Sequence, residues 1–393
     1  MKSGLFVLFF LGLMSAFGPF VMDMYLPTLP AMSEYFHTTS SMVQLGLTTS
    51  MVGLAAGQLV FGPLSDKYGR RRPLVAAMSL FLVSTLGCIF AQTIVQFVIL
   101  RLVQGVAGAG GVVLSRSIAT DKYAGRELAR MLALVGAING IATVAAPVGG
   151  GMVAHRVGWQ GIFWMLLAFG VLLLAGTLRM GETLPACRRQ AAGWGDMAGR
   201  FAGVLGNRLY VGYILQYGFT MSVLFVNIAS APFLMQQHYG LSPLSFSICF
   251  GVNSVAMLLA STLSVKFPTM ERALRAGSRG MVLLAALLLA ALWAGCGFWV
   301  YETLLFGLLS MVGLSFTASN TLAMDCERRN AGIASALLGA VGYAVGGLVS
   351  PLVGLGEMSV TSGGLFLLGS LCAYICARYA LLRTVSPVAS CRG

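Results

Sequence analysis

Residues 5–30 read LFVLFFLGLMSAFGPFVMDMYLPTLP, and the placing of one acid, Asp23, at the far end of that run governs how the chain is read. A helix needs about 20 apolar residues to cross a bilayer, and residues 5–22 carry no charge at all. At ~1.5 Å per residue, Asp23 lies ~28 Å along a helix begun at residue 4, close to the far membrane surface. A carboxylate left in hydrocarbon costs on the order of 2.5–3.5 kcal/mol, so a chain that keeps one there has a use for it. The run has no A-x-A-like site and leads straight into DMYLP, so it reads as a resident span rather than a cleaved leader.

The whole chain supports the membrane reading. It has 393 residues, of which 58% are hydrophobic and 9% charged, with a mean hydropathy of +0.85. A soluble domain carries about 25% charged residues, so this chain cannot clothe a water-facing surface. Twelve apolar windows follow one another at 4–26, 43–63, 73–92, 95–116, 131–153, 160–179, 209–232, 244–265, 280–300, 303–324, 332–354 and 362–382. The longest polar connection, 181–208, divides them into a six-helix bundle over 1–180 and a second over 209–393. The expected class is an all-α integral membrane protein of twelve helices, with 181–208 as a cytoplasmic linker.

Charge sets the orientation. Lys and Arg total 25 against 12 acids. With a cytoplasmic N-terminus nearly all the basic residues fall in inner segments; outer loops hold Arg156 alone, and Arg101 is left inside the membrane. The +13 balance is therefore a topology signal and not a nucleic-acid footprint, and both termini are expected in the cytoplasm. Eight cysteines form no CxxC and no Cys/His cluster, and the three histidines fall in outer loops, so no metal or cofactor is expected. By the window boundaries, Glu34, Glu302 and Glu357 lie in outer loops and Asp66, Asp121 and Asp325 at inner ends. Asp23 is then the only acid deep in a span, and Arg101 the only base.

The halves echo each other: GAINGIATVAAPVGGG in span five and GAVGYAVGGLVSPLVG in span eleven both run through spaced glycines into a proline, Pro147 and Pro351. Transporters built from repeats show this pattern, with the site between the halves near the midplane.

Between spans two and three stands GPLSDKYGRRRP, residues 62–73. It resembles the loop 2–3 motif of the major facilitator superfamily, G-x-L-x-D-r-x-G-R-[RK], through Gly62, Leu64, Asp66, Gly69, Arg70 and Arg71. Span four's LRLVQGVAGAGG resembles the family's R-x-x-Q-G through Arg101, Gln104 and Gly105. Span five resembles its antiporter-associated helix-packing motif through Gly140, Pro147, Gly150 and Gly151, with Ala142 and Ala146 where that motif usually has Gly. Within the family the chain is similar to the bicyclomycin/chloramphenicol resistance branch of drug:proton antiporters. DMYLPTLP (23–30), GRELARMLALV (125–135), GWQGIFW (158–164), ETL (182–184), residues 231–254 and AGIASALLGAVGY (331–343) carry the likeness. Some relatives hold a further acid earlier in span one, where this chain has Ser15.

The resemblance implies proton-coupled export of drug-like small molecules, of phenicol or bicyclomycin type, from the bacterial inner membrane by a monomer in the lipid bilayer. Asp23 and Arg101 would couple protons. Asp23, Tyr25, Gln104, Asn139, Tyr217, Asn227, Asn253, Asn320 and Tyr343 are the candidate substrate contacts. In the gating loop Arg70 or Arg71 would pair with Asp121, and Asp66 would meet the start of span eleven near Asn330. The alternative is a proton-coupled exporter of a small metabolite, such as an amino-acid derivative or sugar, in the same fold. No GxxxxGK[ST] is present, so ATP is not the expected energy source, and no constellation of acids, bases or nucleophiles at one depth suggests an enzyme.

Overall fold

The computed structural model describes residues 2–123, 125–189, 194–327 and 331–385. It is built of helices: α1 (Lys2–Asp23), α2 (Leu29–Tyr35), α3 (Ser40–Tyr68), α4 (Arg71–Ile89), α5 (Ile94–Lys122), α6 (Gly125–Arg179), α7 (Trp194–Leu205), α8 (Arg208–Phe233), α9 (Pro243–Leu263), α10 (Met270–Trp293), α11 (Phe298–Cys326), α12 (Ala331–Val349) and α13 (Met358–Val385). Eleven helical segments of the described residues are long and apolar enough to cross a membrane. The expected fifth span lies in the first part of α6, with Ile138–Ala154 as its shorter apolar stretch. Spans five and six are one 55-residue helical run broken at Gly158, whose φ of 70° suits a residue without a Cβ.

Two compact units divide the chain: Met1–Ala192 with Gly240–Gly251, and Gly193–Tyr239 with Val252–Gly393. In the first, the segment DMYLPTLP interrupts span one. Two prolines within four residues remove backbone donors and restrict the residue before each, so α1 stops at Asp23 and the chain passes through a 3-10 turn, Leu26–Thr28, into α2. The Thr28 hydroxyl donates to the Tyr25 carbonyl at 2.6 Å and Ser33 to that of Pro30 at 2.7 Å, satisfying acceptors the break exposes.

Helices α3 and α5 touch backbone to backbone. A Cβ at Gly53 would meet the Leu102 carbonyl, one at Gly57 that of Val106, and one at Gly105 that of Ser50. Small residues let membrane helices approach so closely, and the approach is tied by Ser50 Oγ to the Arg101 carbonyl at 3.0 Å and Thr49 Oγ1 to that of Val98 at 2.9 Å. Gly150 of α6 lies as close to the Met24 carbonyl, next to Asp23. The segment GWQGIFW supplies Trp159 and Phe163, which pack on Phe97 of α5 with ring centroids 6.0 and 5.5 Å away.

In the second unit α8 is buried along most of its length and packs on α11, α12 and α13. Its first turn is capped by Asn207, whose amide also donates to Glu327 at 2.8 Å. The Tyr210 hydroxyl donates to the Ala334 carbonyl at 2.7 Å. Gly313 of α11 rests on the Met257 carbonyl of α9 as Gly53 rests on α5.

The shift that lays α5 on α11, both 29 residues long, also lays Asp121 on Asp325, Pro147 on Pro351 and Gly150 on Gly354. The sequence repeat is therefore in strict register. Within the linker 181–208, α7 occupies Trp194–Leu205, where Trp194, Met197, Phe201 and Val204 recur at helical spacing. One expectation changes. Glu302 is not in an outer loop, because α10 ends at Trp293 and α11 already begins at Phe298.

The α3–α5 contact has a direct test. Gly105→Ala is expected to lower the thermal midpoint of the detergent-solubilised protein, since overpacking against backbone costs roughly 1–3 kcal/mol. Gly62→Ala, whose Cβ would meet nothing within 4 Å, should leave it unchanged. Equal midpoints for the two variants would contradict the packing described here.

Candidate functional site

Arg101 is fully buried, which forces its donors to find acceptors. Nη2 reaches the Val21 carbonyl at 3.1 Å, Nη1 the Gln104 amide oxygen at 2.5 Å, and Nε the Gly46 carbonyl at 3.4 Å. The guanidinium carbon sits 4.3 Å from the centre of the Tyr25 ring, a cation–π contact that strengthens on desolvation. Val21 O belongs to the last turn of α1, where carbonyls lack helical partners and the dipole favours a cation. Arg101 therefore caps α1 at the break that DMYLPTLP creates.

Asp23 ends that same helix and is 7% exposed. The sequence pairs it with Arg101 as opposed charges, but the structure does not join them. Among the described residues Asp23 makes no ion pair, and Arg101 grips α1 two residues before it and the tyrosine two residues after it. Gln104 is spoken for on both sides of its amide: it accepts from Arg101 and donates to Thr85 Oγ1 at 2.7 Å. Tyr25 and Gln104 are thus partners of Arg101, and Thr85, which the sequence did not single out, completes the chain.

The other candidates are placed separately. Asn139 is partly exposed on α6, and its carbonyl accepts from Thr143. In the second unit the Tyr217 ring lies tilted against that of Phe316, centroids 5.0 Å apart, and Tyr343 against Phe225 at 6.0 Å. Asn227 is buried with its Oδ1 unpartnered, Asn320 is half-buried, and Asn253 donates to Glu302 at 2.9 Å.

The loop after α3 forms a network in the first unit. Gly69, with φ of 88°, turns the chain at the end of α3. Arg70 then reaches Asp66 Oδ1 at 2.6 Å, Asp121 Oδ2 at 2.8 Å and Ser65 Oγ at 2.7 Å. Arg70, not Arg71, pairs with Asp121; Arg71 donates to the Leu178 carbonyl at 2.8 Å. Burial works against the Arg70 cation, but the hydrogen bonds to Asp121 and Asp66 outweigh it and hold its pKa above the ordinary value. Asn330, the expected partner region for Asp66, lies outside the described residues.

Glu182, from the ETL segment, closes the network. Its carboxylate accepts from the backbone N–H of Arg70 at 2.8 Å and of Arg71 at 3.3 Å, where α4 begins, and from those of Thr183 and Leu184. Thr183 Oγ1 donates to Asp121 at 3.1 Å. Partial burial pushes the Glu182 carboxyl up, but the backbone donors of Leu184, Arg70, Arg71 and Thr183 reverse that and hold it below the usual range. The signal for this role was present in ETL; its partner, the N-terminus of α4, lies more than a hundred residues earlier.

A group whose folded pKa is depressed stabilises fully above its unfolded value and loses that contribution as pH falls through the folded one. The tether should therefore be intact at neutral pH and lost below the usual glutamate range. Thermal midpoints measured against pH should fall more steeply on the acid side for the natural chain than for Glu182→Gln. Parallel curves would remove Glu182 from this role.

The Major Facilitator Superfamily profile matches residues 8–351. An uncharacterized MFS-type transporter of Bacillus subtilis strain 168, YdgK, is 36% identical over 369 residues, 92% of each chain. A bicyclomycin resistance protein homolog of Haemophilus influenzae is 28% identical over 381 residues, 94% of each chain. Among solved structures, the xylose transporter XylE from E. coli, in a partially occluded inward open conformation, is similar with a TM-score of 0.74 over 98% of each chain at 14% identity, a likeness of fold alone. With a loop network, a buried R-x-x-Q-G arginine and repeated halves that all agree, the chain belongs to the Major Facilitator Superfamily and is a membrane transporter.

Proposed function

We propose that this transporter exports drug-like small molecules, of the phenicol or bicyclomycin type, in exchange for protons across the bacterial inner membrane, with both termini in the cytoplasm. The observation that carries the reading is Asp23: a buried acid at a helix break, without an ion pair among the described residues, beside an arginine fully occupied elsewhere. A carboxylate held by a salt bridge would keep its charge; one left unpaired can gain and lose a proton as its surroundings alternate between water and protein. The relatives named for bicyclomycin and chloramphenicol resistance support the substrate class. The electrical gradient supplies about 2.3 kcal/mol per inward proton per 100 mV, before the pH difference is counted.

Arg101 acts as a positioning residue in this scheme. By capping α1 and stacking on Tyr25 it fixes the direction in which Asp23 faces. Tyr217, Asn227, Asn253, Asn320 and Tyr343 are proposed contacts along the substrate path of the second unit, with Asn139 in the first. The network of Asp66, Arg70, Asp121 and Glu182 is the proposed gate on the cytoplasmic side.

Two measurements follow. Asp23→Asn should abolish the drug-driven pH change in vesicles while leaving the protein's yield and chromatographic profile unchanged; a pH change at the natural level would exclude Asp23 as the coupling acid. Asp66→Ala should lower turnover more than it weakens drug binding, because it loosens one partner of Arg70 and touches no substrate contact. A loss confined to binding would place Asp66 outside the gate.

A further inference from the structure

The second unit contains a half-buried acid, Glu302, that the coupling scheme does not use. Glu302 lies on the second turn of α11, within a helix long and apolar enough to span the membrane. Its Oε1 accepts from Asn253 Nδ2 of α9 at 2.9 Å, while Oε2 is buried and has no hydrogen-bond partner among the described residues. Asn253 is 1% exposed. No lysine or arginine pairs with Glu302 among the described residues.

Depth is marked by two tryptophans. Trp293 at the end of α10 and Trp299 on the first turn of α11 are 81% and 78% exposed, as residues of an aromatic belt at a membrane–water interface are. Glu302 is three residues beyond Trp299, ~4.5 Å deeper into the helix. It lies just beneath the interface, within reach of protons from water but past the point where water fully solvates a charge.

The internal repeat shows that packing does not need the acid. The shift that lays α5 on α11 lays Val98 on Glu302 and Thr49 on Asn253. In the first unit Thr49 Oγ1 meets the Val98 carbonyl at 2.9 Å, so the same helix crossing is made with an apolar side chain. The second unit sets an amide and a carboxyl there instead. A carboxylate with one amide donor and no counter-ion is costly in hydrocarbon. The neutral acid keeps the Asn253 bond on Oε1 and carries its proton on the free Oε2.

We propose that Glu302, clamped by Asn253, is a second proton-binding site of this transporter, loading from the aqueous phase at the Trp293 and Trp299 end. The step is simple protonation: hydronium gives its proton to Oε2 and leaves as water. The direction of loading rests on the orientation and coupling proposed above; the site itself does not. Its titratable surroundings are Tyr301 on its own helix, Tyr239, whose ring lies 5.4 Å from that of Tyr301, His238, edge-on to Tyr239 at 4.7 Å, and Cys296, which meets the Tyr239 hydroxyl. On α10 the charged residues, Glu271, Arg272, Arg275 and Arg279, all sit toward the opposite end, and α12 carries none.

Infrared difference titration of the purified protein without drug reads the site directly. One protonated-carboxyl band should be lost in Glu302→Gln and retained in Asp23→Asn, and Asn253→Leu should move its midpoint. Should Glu302→Gln fold poorly, dicyclohexylcarbodiimide labelling of the natural chain gives the same answer: peptide mapping should find the adduct on Glu302, increasing as pH falls. An unchanged set of titrating bands in Glu302→Gln, or a Glu302 peptide that stays unlabelled at every pH, would overturn the proposal. In transport, the Glu302→Gln protein should release one fewer proton per drug bound. If the natural chain releases none at all, the coupling reading fails, while the infrared band still decides whether the site exists.

Discussion

A guanidinium with no exposed surface must supply every donor with an acceptor or leave the apolar interior, and Arg101 finds acceptors on three helices. One is the free carbonyl end of α1, which exists only because Pro27 and Pro30 stop the helix at Asp23. The break and the arginine therefore require each other. Without the break Val21 O would be bonded within the helix; without the arginine the broken end would face hydrocarbon unsatisfied. Tyr25 lies against the guanidinium, Gln104 accepts from it, and Thr85 accepts in turn from Gln104.

The same logic of acceptors for donors operates at the basic end of the first unit, with opposite parts. There the orphan groups are the N–H groups that open α4, and the partner is Glu182. Arg70 in turn is held by two carboxylates of different exposure, Asp121 with a 12% and Asp66 with a 49% exposed side chain. The Asp121 contact is the better shielded from solvent screening, so it fixes the loop, while the Asp66 contact is the one that water can most readily replace. The network thus combines one shielded contact with one that water can exchange.

Much of this was legible in the chain. Long apolar windows place the spans because hydrocarbon leaves a backbone little choice but helix; Gly69 and Arg70 were found from motif spacing, and Asp121, as partner of Arg70 or Arg71, from the family resemblance. What the sequence left ambiguous has physical causes. A pair of opposite charges at similar depth suggests an ion pair, but Arg101 is satisfied by carbonyls and an aromatic face, which no pattern of charged letters reveals. Glu302 read as a loop residue because window boundaries follow average hydropathy, while α11 starts earlier, at Phe298, with Gly297 before it. The hidden helix α7 is only 12 residues long, too short to register as a span, although its apolar residues recur at helical spacing.

Register within the repeat separates what packing requires from what it does not. The shift that joins α5 to α11 places Arg101 on Leu305 and Gln104 on Leu308, both fully buried, and Asp23 on Asn227, also buried. At three ionisable positions within the spans, Asp23, Arg101 and Glu302, the other unit has Asn227, Leu305 and Val98, whereas Asp121 at the end of α5 is matched by Asp325. Pro147 with Pro351 and Gly150 with Gly354 are kept in both copies, but Gly53, Gly57 and Gly105 fall on Met257, Ser261 and Leu309, and the second unit makes its close contact through Gly313, which falls on Ala109. The buried charges are not kept in both. A group that is costly to bury and that its counterpart does without is not demanded by the shared helix crossing, so its presence answers to something local to one unit, as Arg101 answers to the broken end of α1.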